Sequence, residues 1–139
     1  MKAIILAAGQ GKRLYPLTKN KPKCLVELFG KSIIQWQIEK LTKCNIKNIS
    51  IVRGYLGEMI NFPNITRYEN KNYNTTNMVE TLFCAKEELS ESVIISYGDI
   101  IFEEKILEKL IQCEDDFAVV IDKNWKKYWK MRFQDPLND

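Results

Sequence analysis

The 139-residue sequence contains no histidine. This absence excludes Ser-His-Asp and Cys-His catalysis, HExxH zinc sites and any imidazole general base. The sequence also has no signal-peptide pattern, no apolar run near the ~20 residues of a membrane span, and no CxxC pair among its four cysteines. We therefore expect a cytoplasmic protein without a membrane partner, whose cysteines are reduced thiols in the core. Its chemistry must use carboxylates, lysines, arginines, backbone amides or a bound ion.

Neither sign of charge is in large excess, because 21 basic and 18 acidic residues leave a formal charge of only +3. The basic residues are unevenly distributed. Five of them occupy a window of twelve residues that contains no acid, namely Lys12, Arg13, Lys19, Lys21 and Lys23. This local concentration predicts one anion-binding site and argues against a nucleic-acid partner.

Strand and helix signals alternate along the chain. Short apolar runs predict buried parallel strands at 2–7, 48–52, 92–97 and 117–121, with a weaker candidate at 65–68. Helical spacing of apolar residues predicts helices over 32–44, 78–89 and 103–113. We predict a single α/β domain over residues 1–139, a three-layer α/β/α sandwich with a mostly parallel sheet. Ligands of such sheets bind beyond the carboxyl ends of the strands, where the basic window also lies.

The loop after the first predicted strand is rich in glycine and basic residues. Gly9 and Gly11 allow a tight turn that brings backbone N–H groups close to an anion, for which a phosphate chain is the natural ligand. A dinucleotide fingerprint is excluded because Leu14 occupies the third glycine position, and the Walker A pattern is also absent. The string LAAGQGKRLYPLT…KPK resembles the N-terminal signature of nucleotidyltransferases that activate sugar phosphates and small phosphorylated headgroups. The resemblance implies the Rossmann-like fold of that family.

The resemblance also implies roles for individual residues. Gly9 and Gly11 would line the nucleotide, Arg13 would hold the leaving pyrophosphate, and Lys23 would contact phosphate at the reacting centre. Arg13 and Lys23 are thus the expected catalytic residues. The expected nucleotide-binding residues are Leu6, Ala7, Ala8, Gly9, Gly11, Lys12, Arg13, Lys23, Gly54, Tyr55, Asn77 and Gly98.

The pair Gly98-Asp99 follows the strand predicted at 92–97. A carboxylate beside phosphates suits Mg²⁺, which prefers one or two carboxylates together with phosphate oxygens. The same pair could simply form a turn before a helix. Members of the resembled family carry a metal-binding aspartate in such a Gly-Asp turn, so we expect Asp99 to be a ligand of Mg²⁺.

Two segments bear on the second substrate. Asn77 with Glu80 can be a capping box, but the Asn77-Met78 stretch also resembles cytidylyltransferases of phosphocholine and related headgroups. In the block 122–139, Trp125, Trp129 and Phe133 recur every four residues, which indicates either core packing or an aromatic wall that holds an ammonium group. The expected acceptor-binding residues are Arg53, Trp125, Trp129 and Arg132, although Arg53 is equally explained as a surface residue.

The first hypothesis is a cytidylyltransferase that uses CTP and a small phosphorylated acceptor, such as phosphocholine, phosphoglutamine or aminoethylphosphonate. It would release pyrophosphate and serve the decoration of a cell-surface polysaccharide or lipid. The alternatives are a sugar-1-phosphate uridylyl- or thymidylyltransferase, and a non-catalytic nucleotide-binding module. Family members continue beyond the aromatic block, so the fold is expected to be incomplete at residue 139. A second metal-binding aspartate and much of the acceptor site are expected beyond it.

Overall fold

The computed structural model describes residues 1–131, 135 and 137. Within this part of the chain, seven of the eight predicted strands and helices are present, at least in part, in the predicted order. The strands are β1 (Lys2–Ala7), β2 (Glu27–Leu28), β3 (Lys31–Ser32), β4 (Ile49–Arg53), β5 (Thr66–Glu69) and β6 (Val93–Tyr97). The helices are α1 (Ile33–Lys43), α2 (Met78–Phe83), α3 (Glu104–Ile111) and α4 (Trp125–Trp129). None of the helices in this part of the chain is long and apolar enough to cross a membrane.

The main sheet has the order β5-β4-β1-β6, and all three pairings in it are parallel. β1 is central, with Ile5 opposite Ile51 on one side and Ser96 on the other. Burial on both faces explains why β1 is a continuous apolar run, since a central parallel strand has no solvated face. β2 and β3 form a short antiparallel hairpin outside this sheet.

Helices cover both faces of the sheet, which confirms the predicted three-layer α/β architecture. On one face, Ile5 and Ile51 join a core cluster with Ile34 and Leu41 of α1 and Leu107 of α3. On the other face, a smaller cluster contains Ile4, Leu6 and Val52 with Ala85. The alternation of side chains along β1 therefore assigns odd positions to α1 and α3, and even positions to the layer of α2.

Local hydrogen bonds set where the helices begin. Ser32 caps α1 in a capping box with Gln35, in which each residue satisfies a backbone N–H of the other. Asn77 caps α2, because its side-chain oxygen accepts hydrogen bonds from the N–H groups of Val79 and Glu80. In the described residues Asn77 is therefore the N-cap of α2, without the reciprocal bond to the Glu80 side chain that a capping box requires.

The structure overturns part of the predicted helix over 78–89. α2 ends at Phe83, and a 3-10 helix follows at Lys86–Ser90. Between them, Ala85 leaves the helical conformation (φ −112°, ψ 29°) and is fully buried against the sheet. The break brings the carboxylate of Glu88 to Lys2, Ser50 and Tyr68, and these tertiary hydrogen bonds outweigh the helical periodicity.

The strand predicted at 117–121 is also wrong. Phe117 is 84% exposed and Ile121 is 71% exposed, and no described residue of this segment pairs with another strand. A strand needs a hydrogen-bonding neighbour, which apolar composition alone does not supply. The prediction of buried cysteines holds only for Cys24, since Cys44 and Cys84 are partly exposed and Cys113 is exposed, although all four are free thiols.

Candidate functional site

A cleft of about 300 Å³ opens at the carboxyl ends of β1 and β6. Its position agrees with the topological expectation for ligands of parallel sheets. The basic loop after β1 forms one side of the cleft, and the turn after β6 forms the other. The lining residues are Leu6, Ala7, Gly9, Gly11, Lys12, Arg13, Leu14, Lys23, Cys24, Met78, Gly98 and Asp99. Of these, Leu14, Cys24 and Met78 were not among the predicted site residues.

Gly11 shapes the basic loop. It adopts a left-handed conformation (φ +67°), and its carbonyl accepts hydrogen bonds from Leu14 N–H at 2.9 Å and from the buried Thr18 Oγ1 at 2.7 Å. A Cβ at this position would lie 2.9 Å from Cβ of Lys23. The loop therefore needs glycine here both for the backbone conformation and for the close packing of Lys23.

The same loop presents unsatisfied donors. Among the described residues, the backbone N–H groups of Gly9, Gln10, Gly11 and Lys12 have no hydrogen-bond acceptor. Consecutive N–H groups of this kind form a concave, partly positive surface that suits an anion. Lys12 and Arg13 add full positive charges at the same place. The loop is therefore equipped to bind a polyphosphate.

Lys23 and Asp99 meet across the cleft although they lie 76 residues apart. Lys23 Nζ forms an ion pair with Asp99 Oδ2, and the two side chains are 30% and 35% exposed. Gly98 makes the approach possible, because its N–H donates to Leu6 O at 2.8 Å and a Cβ there would lie 2.9 Å from Cβ of Ala7. Within the cleft, Lys23 and Asp99 thus form an ion pair, while Lys12 and Arg13 add further positive charge.

The described residues include one candidate ligand for a metal ion, the carboxylate of Asp99. They contain no group of three or more His, Cys, Asp or Glu side chains that could hold a metal ion by themselves. Asp99 is the carboxylate that lines the cleft, and its Oδ1 receives no hydrogen bond within the described part of the chain. A single carboxylate fits Mg²⁺ only when phosphate oxygens and waters complete the coordination sphere. The residues therefore fit a metal ion that arrives with a triphosphate.

Four of the predicted nucleotide-binding residues are not among the lining residues of the cleft, namely Ala8, Gly54, Tyr55 and Asn77. Tyr55 N–H donates to Ala8 O at 3.0 Å, and Tyr55 Oη donates to Lys19 O, so this tyrosine joins both ends of the basic loop. A Cβ on Gly54 would lie 2.6 Å from Ala8 O. Asn77 caps α2, whose first residue, Met78, lines the cleft. Their contact with a nucleotide is still a prediction.

The contacts given by the structure for the predicted acceptor residues lie within their own segments of the chain. Arg53 Nη1 donates to Gly57 O at 3.0 Å, and its Nε is buried without an acceptor among the described residues. Trp125 and Trp129 pack edge to face at a centroid distance of 5.9 Å. Arg132 and Phe133 lie outside the described residues. The acceptor assignments therefore stay predictions.

Cys24 lies in the cleft but is not suited to act as a nucleophile. Burial raises the pKa of its thiol to about 12, so the reactive thiolate does not form near neutral pH. This agrees with a site that works through charge and backbone amides.

Gln37 is a polar residue that the sequence analysis missed. It is 1% exposed on α1, and its Nε2 donates to Tyr97 O at 2.9 Å and to Ile100 O at 2.8 Å. Its Oε1 accepts a hydrogen bond from Ser96 Oγ at 2.9 Å. The signal was present in the sequence, because position 37 shares the buried face of α1 with the apolar residues three before and four after it. An amide within an apolar stripe indicates a buried hydrogen-bonded contact.

The sequence model of the MobA-like NTP transferase domain matches residues 3–132. The chain belongs to this family. The match confirms the resemblance to nucleotidyltransferases that the basic loop predicted. As a MobA-like NTP transferase domain, the chain is 45% identical to the CTP:phosphoglutamine cytidylyltransferase of Campylobacter jejuni, over the whole chain and 59% of that relative.

Two solved structures resemble this MobA-like NTP transferase domain. The CTP:phosphocholine cytidylyltransferase from Streptococcus pneumoniae has a TM-score of 0.61 and 39% identity, and the match covers 70% of the chain and 44% of that protein. A putative glucose-1-phosphate thymidylyltransferase from Bacillus anthracis has a TM-score of 0.69 and 26% identity, with coverage of 83% and 52%. The chain thus spans 59% or less of the length of these relatives.

Proposed function

We propose that this MobA-like NTP transferase domain transfers a cytidylyl group from CTP to a small phosphorylated headgroup and releases pyrophosphate. One observation carries the proposal: the open loop amides, Lys23 and Asp99 converge on one cleft at the carboxyl ends of β1 and β6. The similarity to proteins named as phosphoglutamine and phosphocholine cytidylyltransferases supports CTP and this class of acceptor. We place the reaction in the cytoplasm, where it would supply an activated headgroup for a cell-surface polysaccharide or lipid.

In the proposed reaction, an oxygen of the acceptor's phosphate or phosphonate forms a bond to the α-phosphorus of CTP. The bond between the α-phosphorus and the bridging oxygen breaks, and pyrophosphate leaves with that electron pair. The nucleophile is already anionic near neutral pH, so the step needs no general base. The absence of histidine therefore removes no group that this step requires.

The chain's own residues contribute position and charge. The loop amides from Gly9 to Lys12, with Arg13, would hold the two phosphates that leave. Lys23 would neutralise charge that develops at the α-phosphate, and electrostatic stabilisation of this kind supplies most of the catalysis of phosphoryl transfer. Asp99 would hold Mg²⁺, which when bound neutralises phosphate charge and acts as a Lewis acid.

The proposed binding of the acceptor is supported by fewer contacts than the proposed binding of the nucleotide. Trp125, 39% exposed, and Trp129 form an edge-to-face pair on α4, and exposed aromatic faces can hold an ammonium group by cation–π contact. Arg53 and Arg132 are the basic residues we assign to the acceptor's anionic group. A headgroup that bears both an ammonium group and a phosphate, such as phosphocholine, would suit the tryptophans and the arginines.

The proposal is tested by incubating the chain with CTP, Mg²⁺ and each candidate acceptor while measuring pyrophosphate and the cytidine-linked product. The Lys23→Ala variant should lose at least tenfold in rate, which is about 1.4 kcal/mol of barrier. Lys21→Ala, a neighbouring lysine of the same loop, is the matched control and should retain the rate. Product from UTP or dTTP with a sugar 1-phosphate would instead support the sugar nucleotidyltransferase alternative. Binding of CTP without pyrophosphate release would support the non-catalytic module.

A further inference from the structure

The most completely hydrogen-bonded side chain between α1 and β6 is that of Gln37. The amide uses both its donor hydrogens and its carbonyl oxygen, and all three contacts go to residues 96–100. Its neighbours on the buried face of α1, Ile34 and Leu41, are fully buried apolar residues. A polar group in such a position is stabilising only when all its donors and acceptors are hydrogen-bonded. The hydrogen bonds made by Gln37 therefore hold residues 96–100 against α1 and also fix their orientation.

These contacts bracket Asp99. Gln37 holds the carbonyl two residues before Asp99, that of Tyr97, and the carbonyl one residue after it, that of Ile100. Asp99 itself lies outside β6 and α3, next to the conformationally permissive Gly98. Fixing the backbone on both sides of Asp99 limits the directions that its carboxylate can take. In the structure that direction is toward the cleft and Lys23.

We propose that Gln37 is a positioning residue that holds the Asp99 carboxylate in the cleft, where it can pair with Lys23 or with a cation on a bound triphosphate. The inference rests on the proposed function, because the direction of Asp99 matters only if the cleft binds a metal–triphosphate. Gln37 acts through the backbone of residues 97–100 and touches neither substrate nor reacting atoms.

The test measures how much Mg²⁺ tightens CTP binding, as the ratio of the dissociation constants for CTP without and with Mg²⁺. Isothermal titration in the absence of an acceptor gives both constants without turnover. Gln37→Leu should reduce this ratio three- to tenfold, because the carboxylate is no longer held toward the cleft. Ile34→Val, a buried change one turn earlier on α1, is the control and should leave the ratio unchanged.

Two further variants separate positioning from general stability. Ser96→Ala removes the hydroxyl that orients the Gln37 carbonyl and should lower the ratio in the same direction, by less; it also provides the test if Gln37→Leu does not fold. In an Asp99→Asn background, Gln37→Leu should have no further effect on the ratio, because the side chain that it positions is already disabled. A purely structural glutamine would give the same loss with and without Asp99.

The possible failures can be told apart. An unchanged ratio in folded Gln37→Leu and Ser96→Ala variants, with a wild-type chain that does respond to Mg²⁺, overturns the role of Gln37 and leaves the proposed function intact. A wild-type ratio of one overturns the proposed function, and the inference with it. If Gln37→Leu lowers the ratio by the same factor in the Asp99→Asn background, the inference is also overturned.

Discussion

Because Lys23 and Asp99 form an ion pair, we expect the substitution Asp99→Asn to change CTP binding in opposite directions without and with Mg²⁺. Asp99→Asn keeps the shape of the side chain but removes its charge, and so releases Lys23 for a phosphate. Without Mg²⁺ the variant should bind CTP more tightly than the wild type. With Mg²⁺ it should bind CTP more weakly, because the carboxylate that we propose as a ligand of Mg²⁺ has been lost.

The magnitude follows from the exposure of the pair. Both side chains are about one third exposed, so the ion pair should contribute ~0.5–1 kcal/mol, within the range measured for solvent-accessible pairs. Release of Lys23 then tightens metal-free binding by about two- to fivefold, since 1.4 kcal/mol is a factor of ten. Removing the repulsion between the carboxylate and an anionic triphosphate acts in the same direction. We expect a gain of about two- to tenfold in total.

Isothermal titration of CTP into chelator-treated protein, and again with Mg²⁺, measures both effects. Asp116→Asn changes the same charge at an exposed position away from the cleft and should alter neither constant. In a Lys23→Ala background, the metal-free gain from Asp99→Asn should shrink, because there is no lysine to release. Weaker metal-free binding by Asp99→Asn would refute the reasoning, and an equal gain from Asp116→Asn would assign the effect to net charge.

Three further predictions concern the supports of the site. Gly11→Ala should destabilise the fold by ~1 kcal/mol or more and weaken CTP binding, and urea denaturation and titration measure the two effects. Gly9→Ala, with nothing within 4 Å of its Cβ, should leave the stability of the fold unchanged in the same urea denaturation. Tyr55→Phe removes one hydrogen bond to the basic loop, and the loop should become more sensitive to trypsin, an effect that unchanged cleavage rates would contradict. The hydrogen bonds that Glu88 accepts, first from Lys2, lower the pKa of its carboxyl group. The stabilisation by ionised Glu88 is therefore complete above pH 4.5, the ordinary pKa, and is lost as the pH falls through the lowered pKa. Glu88→Gln should flatten the dependence of the unfolding free energy on pH in that acidic range.

The parts of the fold that follow from short-range patterns were predictable. β1 is apolar from Ala3 to Ala7 because it is buried on both faces, and its predicted bounds, 2–7, agree with the structure. The basic loop and Lys23 lie close together in sequence, so one glycine-lysine-arginine string was enough to locate that side of the cleft. The position of Asp99 opposite them followed from the rule that parallel strands end at the same edge.

The parts that depend on distant partners were not predictable. The helix predicted over 78–89 stops because Glu88 bonds to residues of three other strands, which no local periodicity encodes. The apolar run at 117–121 has the composition of a strand without a neighbour in the described part of the chain. Gln37 carries a visible signal, a polar residue on a buried face, but its target at 96–100 emerges only from the packing of α1 on β6.

The central claim is that the cleft binds a nucleoside triphosphate through the basic loop and Lys23. The most direct measurement is thermal unfolding of the chain with CTP, UTP, dTTP, ATP or GTP, each with and without Mg²⁺. At about 100 times its dissociation constant, a ligand adds ~2.7 kcal/mol of stability, which corresponds to a shift of several degrees. We predict the largest shift for CTP with Mg²⁺, and a smaller one in Lys23→Ala. No shift with any triphosphate, or a shift that Lys23→Ala leaves unchanged, would contradict the account.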